Sequence, residues 1–277
     1  MAKIAFTKMH GLGNDFVVID ARRKAPAGLA KKAARICDRR FGVGCDQILV
    51  ILPSKKADYQ MRIFNADGSE VEMCGNGIRC FAKYLWDRND RVIRKKGALA
   101  VETLAGIIRP KIKRGGMVEV DMGEPVLDGR AVPTIFNGQV KDYPITAGGR
   151  AYRFTAVSMG NPHCVIFTDD VDKVDLAVEG PALERHQAFP NRINVEFVQV
   201  TGPDRLKVRV WERGSGATLA CGTGACAVAV AACLNGKAGR RSRLDLPGGS
   251  LDIRWGEDNR VYMTGPAVEV FTGMMDL

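Results

Sequence analysis

The sequence predicts an α/β protein, α+β in its order of elements, built from two pseudo-symmetric halves. Three observations lead there. Met-Cys-Gly-Asn-Gly-Ile-Arg-Cys at residues 73–80 precedes the helix-forming run Phe81 to Trp86, and Ala-Cys-Gly-Thr-Gly-Ala-Cys-Ala at 220–227 precedes another, Val228 to Leu234. A constant offset of 147 residues, the separation of Cys74 from Cys221, also carries Gly13-Asn14 onto Gly160-Asn161, Gln47 onto Asn194, Phe64-Asn65 onto Trp211-Glu212, Leu29 onto Leu176 and Ile36 onto Leu183. In each half, strand patterns surround one strongly apolar helix, and a helix apolar nearly all round needs enclosure by sheet. Chance can supply one Cys-Gly-x-Gly match in a chain with 31 glycines. The common register of amide, acid and apolar positions makes internal duplication the reading.

Taken in order, Ile4 to Met9 alternates as a strand, His10 to Asp15 forms a loop, and Phe16 to Asp20 is a second strand. Leu29, Ala33, Ile36 and Cys37 share one face of a helix within Gly28 to Arg39. A glycine loop, Phe41 to Gln47, leads into the apolar strand Ile48 to Leu52. Asp58 to Asn65 is a strand that ends in the turn residues Asn65-Ala66-Asp67-Gly68. After the helix opened by Cys74, the segments Ala98 to Thr103, Gly106 to Lys113 and Met117 to Asp121 read as a meander. Gly123 to Tyr143 is rich in Pro, Gly and Asp and marks the boundary between halves. The order then repeats: strand Tyr152 to Val157, loop Met159 to His163, strand Cys164 to Phe167, helix Leu176 to Glu184, strands Asn194 to Val200 and Leu206 to Trp211. A loop, Glu212 to Gly216, precedes the Cys221 helix, and strands at 244–246, 251–255, 261–264 and 268–271 close the chain.

At 277 residues, 46% hydrophobic and 26% charged, the chain is an ordinary globular protein of two modest domains. It carries no signal or transit pattern and no long apolar span, which points to the cytoplasm and away from a membrane. The net charge of +10 raises nucleic acid as a partner. Its basic clusters are short and not interleaved with aromatics, so they read as solvated surface. Eight cysteines without a Cys-x-x-Cys pair, and three scattered histidines (His10, His163, His186), argue against a metal site. Cys37, Cys80, Cys164, Cys226 and Cys233 fit as small core residues; Cys45 sits in a glycine loop with no assigned part.

Each repeated loop carries a polar group: Asn14 and Asn161, Gln47 and Asn194, Asn65 and Glu212, Cys74 and Cys221. Polar side chains at strand ends and helix starts of both halves are what a cleft between two domains displays. The amides suit a polar zwitterion, and Arg213 offers a planar fork for a carboxylate. A glycine-rich turn at a helix start favours an anion and stabilises thiolate. Paired thiols suit removal of a proton from one face of a carbon and delivery to the other, which is racemisation or epimerisation by two bases. Free cysteine titrates near pH 8.5, so one thiol must be ionised while the other stays protonated. The helix end, His163 and Glu212 are the groups available for that adjustment.

His10-Gly-Leu-Gly-Asn14-Asp15-Phe16, Phe64-Asn65-Ala-Asp67-Gly68-Ser69-Glu70, Cys74-Gly-Asn76-Gly77-Ile-Arg79-Cys80, Ser158-Met-Gly-Asn161-Pro162-His163-Cys164, Glu212-Arg213-Gly214 and Cys221-Gly-Thr223-Gly224 together resemble the diaminopimelate epimerase family. The resemblance extends through Asp245-Leu-Pro-Gly-Gly-Ser250 and Tyr262-Met-Thr-Gly265. It implies two similar lobes, each a strongly curved or barrel-like set of strands around a central helix, with the active site in the cleft between them. The expected division is 1–122 plus 265–277, carrying Cys74, and 123–264, carrying Cys221.

It further implies cofactor-independent interconversion of LL- and meso-diaminopimelate, on the route to lysine and peptidoglycan. Cys74 and Cys221 become the acid/base pair, with His163 and Glu212 beside them. Gly75, Asn76, Gly222 and Thr223 would hold the α-carboxylate through the two helix starts. Asn14, Gln47, Asn65, Asn161, Asn194, Glu212 and Arg213 would hold the rest of the substrate, Arg213 at the distal carboxylate. Phe271 stands where some relatives have tyrosine in a dimer contact, so a homodimer is a further expectation. The nearest rival is a proline racemase or hydroxyproline epimerase; those carry Cys-Gly-His and Asp-Arg-Ser-Pro-Cys-Gly-Thr-Gly, whereas this chain has Cys74-Gly75-Asn76 and Ala220-Cys221. A binding protein without chemistry is the rival from another class, and exchange of the substrate α-hydrogen with solvent discriminates it.

Overall fold

The computed structural model describes residues 3–276. The chain forms two compact units: one runs to Asp121 and takes up the chain again from Thr264, and the other is Met122–Met263. In the first, β1 (Lys3–Gly11) and β2 (Asn14–Asp20) form a hairpin, followed by α1 (Leu29–Cys37), β3 (Gln47–Leu52), β4 (Tyr59–Asn65), β5 (Glu70–Val71), α2 (Gly75–Asp87), α3 (Arg91–Lys96), β6 (Val101–Thr103), β7 (Gly106–Ile108), β8 (Lys111–Ile112) and β9 (Val118–Asp121). The second unit holds β10 (Tyr143–Ala147), β11 (Arg150–Ser158), β12 (Pro162–Phe167), α4 (Leu176–Glu184), β13 (Asn194–Gly202), β14 (Arg205–Glu212), β15 (Gly216–Thr218), α5 (Gly222–Leu234), β16 (Arg241–Leu246), β17 (Gly249–Trp255) and the first three residues of β18 (Val261–Gly265). The last strand, β19 (Val268–Asp276), pairs antiparallel with β1.

Both sheets are mixed and share one topology. The first runs β19-β1-β2-β3-β4-β6-β7 with β5 beside β4, and the second contains the run β10-β11-β12-β13-β14-β16-β17-β18 with β15 beside β14. In each, the second and third strands of the repeat are parallel, joined through the first helix: Phe16 pairs with Gln47, and His163 with Asn194. The 147-residue offset survives residue by residue. It maps α1 onto α4 and α2 onto α5 end to end, and the β4–β5 pair Ile63–Val71 onto the β14–β15 pair Val210–Thr218. Duplication is therefore a property of backbone pairing as well as of motif.

The central helices differ in how fully they are enclosed. α5 is buried continuously from Gly224 to Ala232 and packs on β11, β12, β13, β16 and β17; its all-apolar surface leaves no face for water. α2 buries Ile78, Phe81 and Leu85, packs on β1, β9, β2, β3 and β4 and keeps Lys83 and Asp87 at its surface, bonded to each other. The opposite faces of the sheets bury α1, through Leu29, Ala33, Ile36 and Cys37, with Val17, Ile48 and Val50, and α4, through Leu176 and Leu183, with Phe154, Phe189 and Phe197.

Several details depart from the sequence reading. The expected loop His10 to Asp15 shrinks to a two-residue turn, because Leu12 (φ 57°) and Gly13 (φ 88°) are both left-handed and let β1 and β2 pair up to Gly11–Asn14. Arg91–Lys96, read as surface charge, is a short helix capped at its start by Asp90, whose carboxylate accepts from Val92 and Ile93. The segment with little periodicity ends in the edge strand β10. Neither sheet closes into a barrel among the described residues.

Candidate functional site

In the first unit, Cys74 is the residue before α2, extended at φ −136° and ψ 120°, with its Sγ accepting the Gly77 N–H at 3.4 Å. Sulfur thus takes the place usually filled by a serine or aspartate oxygen, at the positive end of the helix. Gly77 lets this happen: a Cβ there would meet Phe16 and Ile63 at 3.3 Å. The Gly75 and Asn76 N–H groups in the first turn have no intrahelical acceptor. The Cys74 Sγ also lies 3.6 Å from Asn14 Oδ1, which accepts from Asn76 Nδ2 at 3.2 Å. Asn14 itself is pinned by its amide nitrogen, which donates to Asp46 Oδ2 at 2.9 Å. Beside it on β3 and β4, Gln47 Nε2 donates to Asn65 Oδ1 at 2.8 Å, and Asn65 Nδ2 donates to Ser69 Oγ. Gln47 Oε1 and Asn76 Oδ1 are buried acceptors without a hydrogen bond among the described residues. Such groups await a donor.

In the second unit, Cys221 precedes α5 in the same way, at φ −117° and ψ 115°, with Sγ accepting the Gly224 N–H at 3.3 Å and lying 3.4 Å from Thr223 Oγ1. Gly222 and Thr223 present the first-turn N–H groups. His163 on β12 is fully buried, its Nδ1 2.7 Å from Glu196 Oε1 and its Nε2 3.0 Å from Asn161 Oδ1. Asn194 donates to the Pro162 carbonyl and accepts the Arg213 backbone N–H at 2.9 Å. Glu212, at the end of β14, accepts from Thr218 Oγ1 at 2.6 Å. The Arg213 guanidinium projects from the turn after β14, more than a third exposed, with one bond to the Asn191 carbonyl.

Burial acts in the same direction on two ionisable groups of the second unit, Cys221 and Glu212. Burial, and then the nearby Glu212 and Glu196 carboxylates, push the Cys221 thiol well above its ordinary value, with Thr223 and the Gly224 N–H opposing. Burial likewise pushes Glu212 up, against its bond from Thr218. Both shifts run toward the protonated form, because burial disfavours the charged state of each group.

Each sequence-derived site residue falls in one of these two groups: Asn14, Gln47, Asn65, Cys74, Gly75 and Asn76 in the first; Asn161, His163, Asn194, Glu212, Arg213, Cys221, Gly222 and Thr223 in the second. Sequence reasoning missed Asp46, which fixes Asn14, and Glu196, which holds His163. Glu196 did leave a signal, a carboxylate inside the apolar run Asn-Val-Glu-Phe-Val where the offset places Leu49. Cys45, unplaced from sequence, is buried with its Sγ 3.4 Å from that of Cys37. No group of His, Cys, Asp and Glu among the described residues is arranged to hold a metal ion.

The family profile described as diaminopimelate epimerase matches residues 6–127 and 155–270. The chain belongs to the diaminopimelate epimerase family. Among relatives of this family, the diaminopimelate epimerase of Desulfitobacterium hafniense is 53% identical over 276 residues, covering 97% of this chain and 96% of its own. That of Synechocystis sp. is 51% identical over 280 residues, covering 99% of each. The protein is accordingly an isomerase of the epimerase type, and the alternative racemase reading is not favoured. By structure, the chain is similar to a phenazine biosynthesis protein of the PhzF family from Bacillus anthracis, with a TM-score of 0.72, 16% identity and full coverage of both chains. At that identity the likeness speaks to the two-domain α+β fold that diaminopimelate epimerases share with it.

Proposed function

We propose that the protein interconverts LL- and meso-diaminopimelate by a cofactor-independent two-base reaction, supplying lysine and peptidoglycan precursors. The observation that carries this reading is the pair of cysteines, each seated at the start of a buried helix with its sulfur taking the third-position N–H. The relatives' shared name supports the substrate. In the direction that uses Cys221 as acid, the Cys74 thiolate removes the α-hydrogen as a proton, leaving the electron pair delocalised into the α-carboxylate. Cys221 then delivers its proton to the opposite face. The first-turn N–H groups of Gly75, Asn76, Gly222 and Thr223 stabilise the charge that develops on the carboxylate. Glu212 takes up or returns the Cys221 proton between turnovers. Asn14, Gln47, Asn65, Asn161, Asn194 and Arg213 hold the rest of the substrate, with the Arg213 fork on the distal carboxylate.

The reading extends to a cytoplasmic homodimer. Support for self-association comes from β19, an edge strand of its sheet that exposes Val270, Phe271 and Met274; an uncovered apolar edge invites pairing. No helix among the described residues is long and apolar enough to cross a membrane.

The test is turnover in heavy water. Incubated with LL-diaminopimelate, the enzyme should give meso product carrying solvent deuterium at the inverted α-carbon and should leave proline and trans-4-hydroxyproline unlabelled. Diaminopimelate returned without label or inversion would refute the activity.

A further inference from the structure

Glu196 has no part in the reaction proposed above. It lies on β13 with its carboxylate fully buried. One oxygen meets His163 Nδ1 at 2.7 Å, and the other, Oε2, is buried without a hydrogen bond among the described residues. Gly224 is what admits it, since a Cβ at that position would lie 2.6 Å from Glu196 Oε1. A buried carboxylate with one bond is tolerated only if a proton on its neighbour, or its own, cancels the charge.

That condition, together with the Asn161 oxygen beside Nε2, fixes the far side of the ring. With an ionised Glu196 and a proton on His163 Nδ1 alone, the pair would hold an uncancelled negative charge among fully buried side chains. Imidazolium with carboxylate, and imidazole accepting from an acid proton on Oε1, place a proton on Nε2; a third neutral arrangement, with the acid proton on Oε2 and Nδ1 donating to Oε1, would leave Nε2 an acceptor, and the Asn161 oxygen that faces it, which cannot donate, selects against it. Nε2 faces Asn161 at 3.0 Å. A proton there requires the amide oxygen of Asn161, and excludes its nitrogen, at that contact. The Asn161 Nδ2 then points elsewhere, and it makes no hydrogen bond within the described residues, so it offers two N–H donors to a ligand acceptor.

We propose that Glu196 is a positioning residue: through His163 it locks Asn161 with its oxygen turned to the imidazole and its NH2 free to donate to a substrate carboxylate. The substrate half of this statement rests on the function proposed above; the proton placement does not. The first unit shows what the arrangement replaces. There the offset puts Phe16 and Leu49 where His163 and Glu196 stand, and Asn14 is turned the other way, its nitrogen spent on Asp46 and its oxygen toward Asn76 and Cys74. One amide is set as an acceptor and its repeat as a donor, so a zwitterionic ligand meets a different group from each half.

The decisive measurement is nitrogen NMR of the imidazole rings in protein labelled at its three histidines, assigned by removing His10 and His186 in turn. The wild-type spectrum should show a proton on His163 Nε2; a proton on Nδ1 alone would overturn the proposal whether or not the enzyme is active. An inactive wild type with the Nε2 proton present would sink the functional reading only. Among variants, Glu196→Gln can donate to Nδ1 and preserve the Nε2 proton, and should stay within a few-fold of wild type. Glu196→Leu should raise KM for diaminopimelate and lower kcat/KM by about 10-fold or more, the scale of one hydrogen bond to a charged group. In a double-mutant cycle, Asn161→Ala should add little to Glu196→Leu, because the second acts through the first. Additive losses, or an unchanged KM in Glu196→Leu, would show that Glu196 serves the core and leaves Asn161 alone.

Discussion

In the first unit Asn14 is held by its nitrogen, which donates to Asp46, and Asp46 is held by Arg39. In the second, Asn161 is held by its oxygen against a histidine that leans on a buried glutamate. The offset shows how thoroughly the two have diverged. Asp15, Arg39 and Asp46 map onto Pro162, His186 and Ile193, while His163 and Glu196 map onto Phe16 and Leu49. Each half thus keeps a charged scaffold the other has replaced. What both retain is the cysteine before a helix, the two glycines around it and the parallel strand pair. Backbone geometry at the helix start is therefore the shared requirement, and side-chain support was free to be reinvented around it.

The largest break in this comparison should come from the thiols. Cys74→Ser and Cys221→Ser keep size and hydrogen bonding but replace an acidic group by one that barely ionises. Each should lower kcat for epimerisation by about 1,000-fold or more with circular dichroism unchanged. Equal losses would show that the halves contribute one base each. A variant retaining a tenth of wild-type turnover would mean that its half is dispensable.

Glu212→Gln sharpens the difference in resting charge. Burial raises the Cys221 thiol first, and the Glu212 carboxylate raises it further. A thiolate is stabilised when a neighbouring negative charge is removed, so the variant's thiol titrates at lower pH than the wild type's. Alkylation of Cys221 by iodoacetamide, followed by peptide mass spectrometry, should therefore shift to lower pH, while kcat falls about 100-fold, the loss expected from the proton exchange proposed for Glu212. A shift of alkylation to higher pH would show that Glu212 acts on Cys221 as a hydrogen-bond acceptor more than as a charge.

Much of this asymmetry was invisible in the sequence for a definable reason. The duplicated frame was legible because helix starts, glycines and strand ends recur at a fixed offset, and these are dictated by local backbone chemistry. The amides and thiols at those ends were legible with it. Asp46 and Glu196 were not, because their importance depends on which neighbour they face across strands distant in sequence: β1–β2 for Asp46, β12 for Glu196. Glu196 could have been suspected as an acid within an apolar run. Asp46, in a glycine loop, looks like any solvated turn aspartate. The short helix Arg91–Lys96 escaped for a simpler reason: with one buried residue, Ile93, it shows no hydrophobic period to detect.

The smallest effect on turnover should come from Asp15, which underlies the first unit's scaffold without touching Asn14. Its carboxylate accepts both Arg39 amino groups at 2.8 and 3.0 Å and the Asp46 N–H at 2.8 Å, and it pairs with the nearly buried Lys8 at 2.6 Å. Burial alone would raise its pKa, but the bonds from Arg39 and Lys8 prevail and hold it well below the usual carboxylate range. A carboxylate whose pKa is depressed on folding contributes stability above its unfolded value, near pH 3.9, and loses it as pH falls toward the folded value. Asp15→Asn should therefore cost about 2 kcal/mol of unfolding free energy at pH 7, in the range of a charged hydrogen-bond network losing one member. The deficit should shrink as pH drops below about 4, where the unfolded wild-type chain begins to take up the proton. Urea unfolding at pH 7 and pH 3 reads this directly, with kcat/KM within about 3-fold of wild type because Asp46 still holds Asn14. A deficit independent of pH would assign Asp15 to packing. A large loss of kcat/KM would mean that the Lys8–Asp15–Arg39–Asp46 network transmits to Asn14 as a unit, which would make the first unit's scaffold the functional counterpart of the second's His163–Glu196 pair.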